Sequence, residues 1–338
     1  MKFCITGGGT GGHLSIAQSL CEEAIARGHE VIFIGSQSGQ DRMWFEDHSS
    51  FSHTYFLDTA GVVNKKGIKK LIALYKIFKA FIASRKILKQ HKVQAVISVG
   101  GFSAAPASFA SVFMRIPFFI HEQNAVIGRL NSMLRPYAKA FISAYEENSP
   151  VKGNPVKEEF FKGARIRESV KNIIFLGGSQ GAKAINDLAL EVASTLQEKG
   201  IHIIHQCGQN DYKRVQSEYK ERSVEAELYA FTKELPSLVS KADLAVSRAG
   251  ASTLWELCAN GLPALFIPYP YAAGDHQFYN ASFVVEEEMG WCQREGEGLK
   301  ELLLKIIEEP LNEKSEALLK HSKQDTAQEM IKLIEKDV

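Results

Sequence analysis

One plan is written twice in this chain. From residue 2 it reads KFCIT-GGGTGGH-LSIAQSLCEEAIARG-HEVIFIG, and from residue 172 it reads NIIFL-GGSQGA-KAINDLALEVASTLQEKG-IHIIHQ. Each copy is a short apolar strand, a glycine burst, an amphipathic helix closed by a glycine (Gly28, Gly200) and a second strand. A strand that crosses through a helix to a parallel strand does so right-handedly, so the repetition dictates parallel sheets with helices on both faces. Two such openings about 170 residues apart predict two doubly wound, Rossmann-like α/β domains facing across a cleft, with ligands at the carboxyl ends of the strands. A length of 338 residues exceeds what one core usually fills, and 45% apolar residues suffice for two. Pro150, Gly153 and Pro155 interrupt regular structure between the copies, predicting domains 1–156 and 157–321, followed by a sheetless tail of one or two polar helices.

Composition removes several classes. Five cysteines, Cys4, Cys21, Cys207, Cys258 and Cys292, are widely spaced without C-x-x-C, which suggests neither a disulfide framework nor a zinc site and predicts a reducing, cytoplasmic setting. The N-terminus is too short in apolar residues for a signal peptide. Val93–Met114 carries no charge over 22 residues, but Gly100, Gly101 and Pro106 break it into a strand, a loop and a small-residue helix, which argues against a membrane span.

Net charge is only +1, yet residues 1–150 hold 17 Lys/Arg against 10 Asp/Glu, and no acid occurs between Asp58 and Glu122. A helix over 68–90 would put Leu71, Leu74, Phe78 and Phe81 on one side with Lys69, Lys76 and Lys79 largely opposite. That reads either as a segment docking on an anionic bilayer surface or as an ordinary helix with a solvated lysine face. No groove-reading or aromatic-interleaved motif suggests nucleic acid.

The first glycine burst satisfies G-x-G-x-x-G through Gly7, Gly9 and Gly12. A dinucleotide site also wants an acid at the end of the next strand, but that strand ends in Gly35 and Ser36 and the nearest acid, Asp41, comes several residues late. The nicotinamide oxidoreductase reading weakens accordingly. What remains is a glycine turn backed by a helix N-terminus, suited to phosphate oxygens or simply to a tight turn. His13, at such an N-terminus, is disfavoured as imidazolium and so kept able to accept a proton; its alternative is a hydrogen-bonded structural role. A third constellation lies at 247–281, where Ser252 or Thr253 can cap a helix bearing Glu256 on its first turn. Glu256 reads as a capping-box acid or as a grip on a vicinal diol. Asp275, His276 and Gln277 crowd the start of the next helix, as sugar hydroxyls would require.

GGTGGH at 8–13, GGF at 100–102, HEQNAVIGRLN at 121–131, GNPVK at 153–157, GGSQGA at 177–182, SRAGASTLWE at 247–256 and DHQFYNA at 275–281 together resemble the MurG family. Its members are the undecaprenyldiphospho-muramoylpentapeptide β-N-acetylglucosaminyltransferases, and the motifs stand in family order across most of the chain. The resemblance implies a GT-B fold: an acceptor-binding first domain, a UDP-GlcNAc-binding second domain, and a last helix, about 322–338, returning to the first. It implies inverting transfer to the muramoyl 4-hydroxyl of a polyprenyl-diphosphate-linked pentapeptide acceptor, converting lipid I to lipid II at the cytoplasmic face of the inner membrane.

By the same resemblance, His13 is the general base. Thr10, Gly11 and Gly12 meet a diphosphate, Asn124 lies nearest the transferring sugar, and Gly101, Phe102 and His121 are acceptor or diphosphate candidates. Ser179 contacts donor phosphate or ribose, Thr232 offers main-chain groups to the uracil edge, Glu256 holds the ribose diol, Gln277 the GlcNAc hydroxyls, and Ser252, Thr253 and Lys157 belong to the donor site. Phe102 stands where relatives carry tyrosine, and Lys157 where arginine is usual, supplying a point charge without the planar fork. The polar run 121–124 also reads as buried and structural. With no D-x-D, transfer is expected to need neither metal nor cofactor. An acceptor anchored by a polyprenyl tail makes Lys69, Tyr75, Lys76, Phe78, Lys79 and Phe81 candidates for an anionic membrane surface. Two alternatives stay open: a transferase of the same fold with another acceptor, and a non-catalytic nucleotide-sugar binding module.

Overall fold

The computed structural model describes residues 1–62, 65–178 and 181–338. The chain divides into two compact units, residues 1–156 with 324–338, and residues 157–323. In the first, β1 (Lys2–Thr6), β2 (Glu30–Ser36), β3 (His53–Leu57), β4 (Ala95–Ser98), β5 (Phe118–Glu122) and β6 (Ala140–Ser143) form a parallel sheet in the order β3-β2-β1-β4-β5-β6. In the second, β7 (Asn172–Leu176), β8 (His202–Gln206), β9 (Ala226–Tyr229), β10 (Leu244–Ser247), β11 (Ala264–Phe266) and β12 (Trp291–Cys292) form another, in the order β12-β11-β10-β7-β8-β9. Counted from the first strand of each unit, the two orders are the same. Each reverses direction beside the strand that feeds a glycine loop, β1 or β7, which is where doubly wound sheets hold their ligands.

Because both faces of each sheet are covered, the strand interiors are largely apolar, with polar residues mostly at the strand ends. Phe3, Ile5, Val31 and Phe33 point into one core of the first unit, and Cys4, Ile32 and Ile34 into the other. The helix Gly11–Ala26 contributes Leu14, Ala17, Leu20 and Ala24 to the first core, and the terminal helix Thr326–Asp337 adds Met330, Ile331 and Ile334. A polar clasp fixes that terminal helix. Arg27 reaches the Glu335 carboxylate with both Nε (3.0 Å) and Nη2 (2.6 Å), and His29 Nε2 lies 2.6 Å from the same group. These hydrogen bonds hold the Glu335 pKa down at about 2.

The uncharged run forms β4, a short 3-10 turn at Phe102–Ala104 and the helix Ala105–Met114. Among the described residues no helix is long and apolar enough to cross a membrane.

The basic segment folds as the helix Gly67–Gln90, but its packing differs from a simple apolar-in, lysine-out reading. It lies on the helix Ala105–Met114 and buries small residues first, Ala73, Ala80 and Ser84, then Ile87 and Leu88. Small side chains allow close approach of two helices, so the large ones are turned outward: Leu71 is 66% and Phe78 60% exposed. Leu71, Tyr75, Phe78 and Ile82 recur at helical spacing as one outward stripe. Phe81 is only half exposed and packs edge-on against Phe113, while Lys76 is half-buried and paired with Asp58 at 2.9 Å.

Two glycine segments meet above β1 and β4. Gly8 donates its N–H to the Gly100 carbonyl at 3.1 Å. Gly7 (φ +128°) and Gly101 (φ +81°) both hold left-handed conformations, and a Cβ on either would collide with the facing carbonyl, of Gly100 or Gly8. Asp41, wholly buried, closes the arrangement: one carboxylate oxygen receives Gly9 N–H and the other Ser36 N–H, the latter at 2.8 Å. Burial pushes its pKa above the ordinary value, and the two N–H donors oppose that rise.

Asp41→Asn keeps one acceptor but turns an NH2 group toward the second donor. We expect a loss of roughly 1–3 kcal/mol in denaturant unfolding; stability equal to wild type would contradict the assigned role. The Glu335 clasp carries a pH sign. Its folded pKa lies below the unfolded value, so its contribution is present above about pH 4.5 and fades as pH falls toward about 2. Glu335→Gln should therefore lower the unfolding midpoint at neutral pH, and the gap from wild type should narrow by about pH 3. A gap that is constant with pH would refute the ionic clasp.

Candidate active site

Thr10 occupies the N-cap of the helix Gly11–Ala26 with an extended backbone (φ −135°, ψ 154°), yet its hydroxyl does not cap a backbone N–H. It lies instead 2.9 Å from His13 Nδ1. The ring is thereby fixed with its Cδ2–Nε2 edge against Gly100, where a Cβ would come within 3.4 Å of Nε2. In the tautomer in which Nδ1 donates to the Thr10 hydroxyl, Nε2 is the basic nitrogen. The helix start, unclaimed by the Thr10 side chain, offers its first-turn N–H groups and its positive dipole end to an anion.

Beside this loop, Gly101 holds its left-handed turn and the Phe102 ring covers Gly9 and Gly61, an apolar contact for which no hydroxyl is needed. The run 121–124 divides by burial: His121, Glu122 and Gln123 are buried, and Asn124 is half exposed. Glu122 organises the loop. Its carboxylate receives Asn124 N (3.0 Å), Gly128 N (2.9 Å) and Asn131 Nδ2 (2.9 Å). His121 makes no hydrogen bond of good geometry through either ring nitrogen, and burial, then the neighbouring His13, holds its pKa down at about 3. Its burial thus favours the neutral ring.

In the second unit, Gly177 N–H bonds the Gln206 carbonyl at 2.9 Å, and a Cβ on Gly181 would meet the Cys207 carbonyl. Asn186 braces the same region from Nδ2, to Cys207 O (3.0 Å) and Asp211 Oδ2 (2.7 Å). The helix Lys183–Glu198 starts immediately after the loop, again without a side-chain cap. Ser179 lies outside the described residues.

The helix that bears Glu256 begins one residue before Ser252, so neither Ser252 nor Thr253 is its cap. Gly250 takes that position and accepts Leu254 N–H at 2.9 Å. Glu256 consequently sits on the second turn rather than in a capping box. Ser252 Oγ donates to its Oε1 at 2.7 Å. Burial raises the Glu256 pKa, and Ser252 and the charge of Lys157 counter it. Lys157 itself stands at the N-cap of the short helix Glu158–Lys162. Thr232 Oγ1 accepts Glu234 N–H at 2.9 Å, which fixes the turn of its backbone. Gln277 Oε1 accepts Tyr269 N–H at 2.9 Å, leaving its NH2 group to donate. Asp275, though adjacent, is occupied by Arg294.

Two residues escaped sequence reasoning. Asp41 looked like a misplaced ribose acid and is a backbone anchor; Glu122 looked like one of several polar site residues and is the loop's central acceptor. An acid a few residues beyond the second strand, opposite a glycine burst, was the available signal for the first.

The chain matches the glycosyltransferase family 28 N-terminal domain over residues 3–143 and the family 28 C-terminal domain over residues 172–336. It is 63% identical to the UDP-N-acetylglucosamine--N-acetylmuramyl-(pentapeptide) pyrophosphoryl-undecaprenol N-acetylglucosamine transferase of Sulfurimonas denitrificans, over 98% of this chain and 97% of that one. The protein of the same name from Wolinella succinogenes is 53% identical over 99% of each chain. The crystal structure of Acinetobacter baumannii MurG superposes with a TM-score of 0.80 at 28% identity, covering 99% of both chains. The chain therefore has the GT-B fold and belongs to glycosyltransferase family 28, and within it to the MurG family.

Proposed function

We propose that the chain transfers N-acetylglucosamine from UDP-GlcNAc to the muramoyl 4-hydroxyl of undecaprenyl-diphosphate-linked MurNAc-pentapeptide, with inversion at the anomeric carbon. Membership of the family supports the reaction, and the observation that carries the mechanism is the Thr10–His13 pair at the head of the first glycine-loop helix. His13 Nε2 takes the proton as the 4-oxygen attacks the anomeric carbon, and the bond to the UDP phosphate oxygen breaks. The departing diphosphate is stabilised by loop N–H groups and helix N-termini, with Thr10, Gly11 and Gly12 serving one diphosphate. On the donor side, Glu256 accepts from the ribose diol, Gln277 donates to the sugar, and Thr232 presents backbone to the uracil edge. Asn124 orients the transferring sugar, and Lys157 and Ser179 add to the donor site.

The carboxylates beside the first loop, Asp41 and Glu122, are already filled by N–H donors and so are poor ligands for a divalent ion. Turnover should accordingly persist in chelator. His13→Ala should lower kcat by roughly 100- to 10,000-fold while UDP-GlcNAc binding is retained. Turnover within about tenfold of wild type would remove His13 as the base.

The outward stripe of the helix Gly67–Gln90 supports peripheral docking on the cytoplasmic face of the cell membrane, where the lipid-linked acceptor resides. Leu71, Tyr75 and Phe78 offer apolar contact, and Lys69 and Lys79 meet anionic headgroups. Co-sedimentation with anionic vesicles should fall with salt, and by about fivefold for Lys79→Glu, the equivalent of about 1 kcal/mol. Phe78→Ser should lose binding even at low salt; sedimentation unchanged in both variants would reject this face.

A further inference from the structure

At the edge of the first sheet opposite the glycine loops, three groups that play no part in the reaction come together. Glu30 opens β2, His53 opens β3, and His91 is the C-cap of the helix Gly67–Gln90. The parallel register that sets Ile32 beside His53 brings the two strand heads together, and the chain delivers His91 to them as it turns toward β4. One carboxylate oxygen and one nitrogen from each imidazole lie within 4.8 Å of one another.

We propose that Glu30, His53 and His91 form a binding site for one divalent transition-metal ion of the zinc type, which staples the end of the basic helix to the sheet edge. Two imidazoles and a carboxylate are the donor set of zinc, cobalt and nickel rather than of magnesium or calcium. Two of the three residues already contact a neighbouring polar group, the kind of outer partner that metal ligands use. The Tyr55 hydroxyl lies 2.7 Å from His91 Nε2, leaving Nδ1 for an ion. Lys2 Nζ lies 2.7 Å from Glu30 Oε2, leaving Oε1. The His53 and His91 rings pack at 4.6 Å between centroids without a hydrogen bond between them. Ligand atoms around a tetrahedral zinc ion are about 3.3 Å apart, so closure needs only small side-chain rotations, and exposed His53 is free to make them. Water completes the coordination.

β1 and β2 separate this cluster from the glycine loop by about 16 Å, one strand length, which makes the ion a structural fastening and not a reactant. The reading does not depend on the proposed transfer reaction.

The test uses the full-length, untagged protein, stripped with chelator and dialysed. Zinc titration by calorimetry should give one ion per chain with micromolar or tighter affinity, and should raise the thermal midpoint by several degrees. The cobalt form should show visible ligand-field absorption. His53→Ala, at an exposed position, should fold as wild type, keep metal-free turnover, and lose both the binding and the midpoint rise. Glu30→Gln should do the same, and Tyr55→Phe, which keeps every ligand, should weaken binding roughly 10- to 100-fold. Stoichiometric binding that survives His53→Ala, a stripped protein that takes up no zinc, or magnesium bound as tightly as zinc would each overturn the proposal.

Discussion

The first unit depends on two backbone segments approaching more closely than side chains permit. Gly7 and Gly8 lie against Gly100 and Gly101 at the point where the sheet order reverses, with a hydrogen bond from Gly8 to Gly100. The contact sets where the first helix starts, so it sets Thr10 at the cap and His13 one turn along, with its ring edge over Gly100. Such a junction concentrates N–H groups that the sheet ladder cannot satisfy. Asp41 resolves part of that problem by accepting from Gly9 and Ser36 at the cost of burying a carboxylate, a cost visible as its raised pKa. Asp41, several residues past the end of β2, thus serves as a loop anchor.

The second unit repeats the sheet order and the uncapped helix start, but braces its loop differently. There an amide, Asn186, ties the loop after β8, and Arg214 holds Asp211 and Asp187 in turn. Asp211 is consequently held at a pKa of about 2. Both solutions leave helix-start N–H groups without side-chain caps, the one feature a diphosphate site needs from the backbone. The carboxylates differ in the same spirit. Glu122 is filled by N–H donors and shapes a loop, whereas Glu256 is half-buried and accepts from the Ser252 hydroxyl beside the charge of Lys157.

The doubled βαβ plan was legible because apolar strand runs, glycine punctuation and helix length all point the same way. The glycine junctions were legible because residue type alone marks a tight turn, and the structure places Gly7, Gly8, Gly100 and Gly101 against one another. Other features depend on three-dimensional partners. The cap of the Glu256 helix was misplaced because Ser252 is a good cap residue by type, while Gly250, with no side chain to signal, takes the position. The fate of Asp41 turned on a loop geometry that spacing rules do not encode. In the helix Gly67–Gln90, apolar residues occur around most of the circumference, so hydrophobicity could not say which face is inside. The small residues Ala73, Ala80 and Ser84 decide it, because only they let the helix settle against its neighbour.

The terminal helix adds a constraint on how the first unit is completed. Its residues lie at the chain's end, yet Met330, Ile331 and Ile334 fill the same core as Phe3, Leu14 and Leu20. Each such apolar side chain contributes about 1.5–3 kcal/mol on burial, so the first core is substantially incomplete until the last residues are present. The Arg27–Glu335 fork adds orientation to that burial, since two parallel hydrogen bonds tolerate little rotation of the helix about its axis. The helix Gly11–Ala26 packs on this terminal helix and carries His13 in its first turn. The position of the proposed base is therefore secured from both ends of the sequence, by the glycine junction at the front of its helix and by the returning tail along its flank.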